Sequence, residues 1–480
     1  MYPALPIVGI KSSQSSSHVG VAEARLLDSR RRTYVGNVYL ALPGLEQGTR
    51  WVGLKHPSPA RHETASSSQF FASAPASVLA HCTTPSAVVQ MSGGKQYASQ
   101  AWMQERHDAM ANRREWRRMG FRDALEIVPL PPTAGAQGRR YMSQRPAWTP
   151  GGELPWEDFD GPRPKHSGPG VFGGHVYAQA PLAAARAVEE DERRTASSSG
   201  STDGRKIGIH SIQGVFTNPG LGDRPFIYDV STIAAGRSFS ARLVHARQPK
   251  QASKAADGPY PPSDAQLPLN DICFSCITTF KRAVPSHDDM QMARSAQERY
   301  AHVLSTRPVE EWDLCPQSDV DIVKALFPNA GHGAFPVLDM HKVDMSEYNG
   351  DKAVPERREL IFYRLLEPLP RDDANAHILC HAFEADRNGL IMCGNHLGYG
   401  YNLGTAASLS YSFYVHVNPD EAVMDGDGWW LQEVSWPRVS AGRCMMESRL
   451  WSPEGKHVAS GYQDGIIGPE RKKGEAPSKL

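Results

Sequence analysis

Residues 207–243 read IGIHSIQGVFTNPGLGDRPFIYDVSTIAAGRSFSARL, and residues 407–450 read ASLSYSFYVHVNPDEAVMDGDGWWLQEVSWPRVSAGRCMMESRL. Each stretch opens on an apolar strand-like run and reaches an Asn-Pro turn, at Asn218-Pro219 and at Asn418-Pro419. Each then passes an acidic or Gly-rich turn and a second strand. An Ala-Gly-Arg opens a third strand, at Ala235-Gly236-Arg237 and at Ala441-Gly442-Arg443. Runs of this kind, bounded by turn residues, read as antiparallel strands. The spacing is far too long for a solenoid repeat. Two matched units in one chain predict a duplicated domain folded as an internal pseudo-dimer.

Working outward, a helix is expected before each set of strands. GPGVFGGHVYAQAPLAAARAVEE (168–190) carries an Ala-rich run after Gly173-Gly174. A helix with small side chains nearly all round implies close neighbours on several sides. Pro181 lies inside that run and is expected to kink its first turns. Strand-like segments follow at 207–217, 225–233, 238–247 and 271–282, with a polar, Pro-rich insertion at 248–270. The second unit repeats the plan, with a strand at 358–367, one helix over about 373–392 and three strands to about 468. A helix wrapped by antiparallel strands, twice over, is an α+β double hotdog.

The expected organisation is a low-complexity, disordered extension at 1–115, with one helix near 98–118, and an N-terminal hotdog at 116–285. A linker at 286–333, a C-terminal hotdog at 334–470 and a flexible tail at 471–480 complete the chain. Lys plus Arg equals Asp plus Glu at 52 each, so no basic surface points to nucleic acid or anionic lipid. No apolar stretch is long enough to span a membrane. The first residues, MYPALPIVGIKSSQSSS, lack the basic n-region of a secretory signal. Seven cysteines at irregular spacing suit a reducing compartment. The chain ends on Ser478, Lys479 and Leu480, the tripeptide read by the peroxisomal import receptor, so a peroxisomal matrix location is expected.

Several signatures of chemistry are missing from the sequence. It has no G-x-S-x-G, H-E-x-x-H, P-loop or G-x-G-x-x-G. Cys273 and Cys276 form a C-x-x-C within an expected strand, where residues three apart face opposite ways, so they read as core thiols. His381, near Asp386, reads as a helix-surface residue. No metal or organic cofactor is expected. What remains is a polar set in the second unit: Asp386 in HAFEADRNGLI, Ser408 in SLSYSFYVHV and Gln463 in VASGYQDGII. A helix carboxylate, a strand hydroxyl and a strand amide can converge where a sheet wraps a helix, and together hold one water. An equally simple reading of the spacing is a surface Asp, a strand Ser and an edge Gln.

Residues 120–470 resemble the type II acyl-CoA thioesterases, double-hotdog enzymes that hydrolyse fatty acyl-CoA. VFGGHVYAQAPLAAA is similar to the family's first helix, and HSIQGVFTNPG, RPFIYDV and GRSFSARLV to its first sheet. FEAD ending at Asp386, Ser408-Leu409 before Tyr414 and His416, and VASGYQDG with Gln463 match the family's Asp, Ser/Thr and Gln in order. The resemblance implies that Asp386, Ser408 and Gln463 are catalytic, that fatty acyl-CoA is the substrate, and that some members are peroxisomal. Pairing into a homo-oligomer is compatible with the fold. His175 where the family has Gln, and Ala385 where it has Ser, are departures. They keep open an inactive acyl-CoA-binding protein. A hotdog enoyl-CoA hydratase is the other alternative, although neither Asn-Pro turn has an adjoining His. Arg237 and Arg443 read equally as contacts to CoA phosphates or as partners of carboxylates.

Overall fold

A computed structural model describes strand residues 21–27 and 33–39, then 118–132, 138–152, 154, 170–199, 207–319, 323, 327 and 331–469. The chain divides into two compact units, Met1–Val89 and Gln90–Leu480. In the first, β1 (Val21–Leu27) and β2 (Thr33–Tyr39) pair as an antiparallel hairpin. The helix expected at 98–118 lies almost wholly outside the described residues, as does the tail at 471–480.

The second unit is built on a continuous antiparallel sheet against which its helices pack. Its N-terminal half contains β3 (Ile127–Leu130), β4 (Arg139–Ser143), helix α1 (Gly173–Ser199) and β5 (Ile207–Phe216). It continues through β6 (Ile227–Ala235), β7 (Phe239–Arg247) and β8 (Phe274–Arg282). The C-terminal half contains β9 (Asp313–Leu314), β10 (Leu338–Lys342), β11 (Glu359–Leu365), and helices α2 (Ala374–Ala385) and α3 (Gly389–His396). The strands β12 (Leu403–Val415), β13 (Trp430–Ser440), β14 (Arg443–Trp451) and β15 (His457–Pro469) close it. The strand order is β3-β4-β6-β7-β8-β5-β12-β15-β14-β13-β11-β10-β9. The order of one half is mirrored in the other, and the halves meet where β5 pairs β12, from Ser410 opposite Val215 to Tyr414 opposite Ser211. This is a double hotdog, with the pseudo-twofold axis running between those two strands.

The helices meet on the same axis. Helix α1 packs against α2 on one side and against β4 to β8 on the other. That leaves no room for long side chains. Ala178, Ala180, Ala183, Ala184 and Ala185 are fully buried, as the composition of the run implied. The helix continues through Pro181 and runs on to Ser199, past the end of the Ala-rich run. Its last turns are tied to the sheet by Arg139 and Arg242 on Asp191, at 2.7 and 2.8 Å.

Three expectations are corrected. The single helix over 373–392 is two, because the chain turns at Asp386–Asn388, where Asn388 adopts a left-handed φ of 51°. Asn tolerates that conformation far better than a branched residue. Four strands rather than three follow, since β13 and β14 form a tight hairpin through Ala441 and Gly442, both at positive φ. His381 is buried, its ring between the Tyr363 hydroxyl at 2.9 Å and the Ala422 carbonyl at 2.9 Å. Cys273 and Cys276 are both buried, and burial pushes each thiol up to about 12.

The close packing of α1 makes a prediction. Ala184→Leu should lower unfolding free energy by about 1–3 kcal/mol through overpacking. The readout is a lower urea midpoint at unchanged slope; an unchanged midpoint would show slack in this layer.

Candidate active site

The break between α2 and α3 decides where the polar residues go. Helix α2 ends on Asp386 as its C-cap, and the next two residues are pinned from outside the helix. The Arg387 guanidinium donates to the Gln317 carbonyl at 3.1 Å and lies 4.1 Å over the Phe335 ring. The Asn388 amide donates to the Pro316 carbonyl at 2.9 Å. With its neighbours fixed, Asp386 is held at 6% exposure facing the start of α1 in the other half.

The Gly174 backbone N–H faces the Asp386 carboxylate and favours its charged form. A Cβ on Gly173 would fall 2.9 Å from Asp386 Oδ2, 3.6 Å from Ser408 Oγ and 3.4 Å from the Phe216 ring. A side chain at 173 would therefore displace the carboxylate. The first N–H groups of a helix have no intrahelical partner, and the dipole there favours negative charge. Burial opposes this and wins. It pushes the Asp386 carboxyl up to about 7, against the Gly174 N–H and the Arg387 charge, which pull it down.

Gln463 is the connector. Its Nε2 donates to Asp386 Oδ1 at 2.5 Å and to Ser408 Oγ at 2.5 Å. Ser408 reaches it through an irregularity in the sheet. Gln463 pairs with Tyr411, but Ser408 pairs with Gly465, and the register shifts between Ser408 and Ser410. Residues 408 and 411 are three apart and would point to opposite faces of a regular strand. The extra residue at Leu409 turns Ser408 to the inner face beside Gln463. Ser408 Oγ accepts from the amide, so its own proton is free to donate.

All three expected site residues therefore converge, in a cavity of about 540 Å³ that both halves line. The N-terminal half supplies Gly173, Val176, Phe216 and Phe274, and the C-terminal half supplies Leu390, Ala406 and Ser408. The glycine pair and the Gly174 N–H are parts of this arrangement that residue chemistry alone did not single out. His175 is buried with neither ring nitrogen hydrogen-bonded, and desolvation pushes its pKa down to about 3. It packs its neutral ring towards Phe383, 6.4 Å away, and lies outside the cavity wall. Arg443 pairs with Asp464, Nε to Oδ1 at 3.1 Å. The Asn-Pro turns hold backbone: Asn218 on the Ile272 carbonyl at 3.0 Å and Asn418 on the Val284 carbonyl at 2.9 Å.

The matching position in the first half is filled differently. Asn418 lies 200 positions after Asn218, and the same step carries Asp386 to Arg186 and Gly173 to Asp373. Arg186 donates to Asp373 Oδ2 at 3.0 Å, and Asp373 caps α2 by accepting from the Ala376 N–H. Pro419 sits where a Cβ on Gly208 would be. At that helix start the chain closes its own cap.

Comparison with known proteins agrees with this two-part plan. Residues 162–258 match the model of the acyl-CoA thioesterase N-terminal domain, and residues 340–467 that of the C-terminal domain. Acyl-CoA thioesterase 2 of Haemophilus influenzae is 40% identical over 297 residues, covering 62% of this chain and 87% of that protein. The chain belongs to the type II acyl-CoA thioesterase family. The family's reaction is acyl-CoA thioester hydrolysis. Mouse acyl-coenzyme A thioesterase 8 is 24% identical over 310 residues, 62% of this chain and 80% of that protein. Among solved structures, the acyl-CoA thioesterase II TesB2 of Mycobacterium marinum aligns at a TM-score of 0.44 and 18% identity, over 73% of this chain and 98% of that one.

The raised Asp386 pKa makes a prediction for a mechanism that needs the carboxylate. Log kcat/KM should fall with unit slope below about pH 7 and level off above it. The same shift costs stability as pH rises. The folded state holds the proton to about 7 while the unfolded chain releases it near 3.9, so stability is greatest below the unfolded value and falls between the two. Asp386→Asn should therefore melt higher than wild type at pH 8 and not at pH 4. An identical melting difference at both pH values would contradict the shift.

Proposed function

We propose that this chain hydrolyses fatty acyl-CoA to free acid and CoA through a water activated by Asp386. The observation that carries the reading is the Gln463 amide bridging Asp386 and Ser408 beside Gly173. In this reading the water sits between Asp386 Oδ2 and the Ser408 hydroxyl. Asp386 takes one water proton as the oxygen adds to the thioester carbonyl carbon. The resulting oxyanion faces the amide-rich start of α1, whose dipole stabilises it. The tetrahedral intermediate collapses by breaking the carbon–sulfur bond, and Asp386 returns the proton to the leaving thiolate. Gln463 fixes the carboxylate and hydroxyl relative to each other and needs no charge change.

The roles set an order of effects. Asp386→Asn should lower kcat by about a hundredfold or more while the protein stays folded and binds acyl-CoA. Gln463→Ala and Ser408→Ala should each cost less, because they orient the water. Release of free thiol from acyl-CoA, followed side by side in the three variants, checks this. Near-wild-type turnover in Asp386→Asn would sink the assignment. We also propose import into the peroxisomal matrix, supported by Ser478-Lys479-Leu480, which lie outside the described residues. Removing these three residues should leave the protein in the cytosol by fluorescence microscopy; unchanged import would overturn the proposal.

A further inference from the structure

The cavity above the site has two ends of different character. Its mouth lies between Thr217–Pro219 and Thr405–Ala407, which are largely exposed. Its inner end, in the N-terminal half, is formed by Val176, Phe226, Cys273 and Phe274, each at most 6% exposed. An apolar chain gains roughly fourfold in binding for each methylene removed from water. On the thioesterase reading, then, the acyl group enters the inner end and the CoA arm leaves by the mouth.

The inner end is shallow. Along α1 the cavity touches Gly173 and Val176 but neither Tyr177 nor Ala180. Tyr177 fills the next turn, its ring 4.4 Å from Tyr411 and 6.1 Å from Phe274. Its hydroxyl donates to the Ile212 carbonyl at 3.2 Å, which fixes it there. Behind Phe226 stands Tyr228, stacked at 6.1 Å and hydrogen-bonded to Gln179 at 2.7 Å. Phe274 lies over Gly214, where a Cβ would come within 2.4 Å of its ring, with Phe216 beside it at 4.7 Å and Tyr177 at 6.1 Å. These neighbours hold its ring across the inner end.

We propose that Phe274 is the stop that sets acyl length, and that the substrates hydrolysed best are short- to medium-chain acyl-CoAs. One helical turn is about 5.4 Å deep, and an extended chain advances about 1.2 Å per bond, so about four or five bonds fit beyond the carbonyl. A hexanoyl group fills that depth, and a hexadecanoyl tail has to fold back towards the mouth.

The test is kcat/KM on straight-chain acyl-CoAs graded from butanoyl to hexadecanoyl, for the full chain, Phe274→Ala and Val176→Ala. Wild type should peak near hexanoyl and fall about tenfold or more by hexadecanoyl. Phe274→Ala should move the peak to decanoyl or beyond, and Val176→Ala should move it the same way by less. A wild-type profile that climbs through hexadecanoyl would overturn the stop, and this result needs no variant to fold. Soluble, active variants with the wild-type profile would overturn it too. Absence of hydrolysis on every substrate would instead overturn the thioesterase reading itself, so the two failures are distinct.

Discussion

The arrangement depends on one contact across the pseudo-twofold axis: the amide at the start of α1 reaching the carboxylate at the end of α2. Neither half can make it alone. The N-terminal half contributes a 27-residue helix whose first turn lacks side chains at two successive positions. The C-terminal half contributes Asp386 on a helix that must stop there. The α1 helix start and burial act in opposite directions on this acid. The helix start favours charge, burial opposes it, and the balance leaves the carboxyl near 7, where it can accept and return a proton. A fully exposed aspartate, with a pKa near 3.9, would be a weaker base.

The duplicated chain keeps one such contact and closes the other. At the start of α2 the place of the glycine pair is taken by Asp373, which caps its own helix and pairs with Arg186. A side-chain cap and an ion pair there contribute to stability, where the α1 end instead leaves its amides facing Asp386. Asymmetry of this kind is open to a fused pseudo-dimer and closed to a symmetric pair of identical subunits, because each half evolves its own helix start. It also explains why the polar trio appears in only one copy of the repeat.

Much of this was legible in the sequence. The matched Asn-Pro turns and Ala-Gly-Arg runs give the duplication, and the alanines of α1 announce a helix enclosed on several sides. The order Asp386, Ser408, Gln463 was also readable, yet spacing alone did not separate it from a surface Asp and an edge Gln. Two local events decide the difference, and both are conformational. Asn388 breaks the helix in the left-handed region, and the extra residue at Leu409 turns Ser408 inward. Neither follows from hydrophobic periodicity, which favoured one continuous helix over 373–392. The burial of His381 is hidden from periodicity for a similar reason. Its partners, Tyr363 and the Ala422 carbonyl, lie far along the chain, so its burial is a tertiary fact.

Gly173→Ala tests the central contact most directly. Gly173 is the first residue of α1, so a methyl there breaks none of the helix's own hydrogen bonds and its effect falls on the site. The added methyl would meet Asp386 Oδ2 at 2.9 Å and stand beside Ser408 Oγ. If the start of α1 positions the carboxylate, kcat for acyl-CoA hydrolysis should fall by about a hundredfold, the scale of a misplacement near 1 Å, with the melting temperature maintained. Wild-type turnover in a folded Gly173→Ala protein would contradict the account.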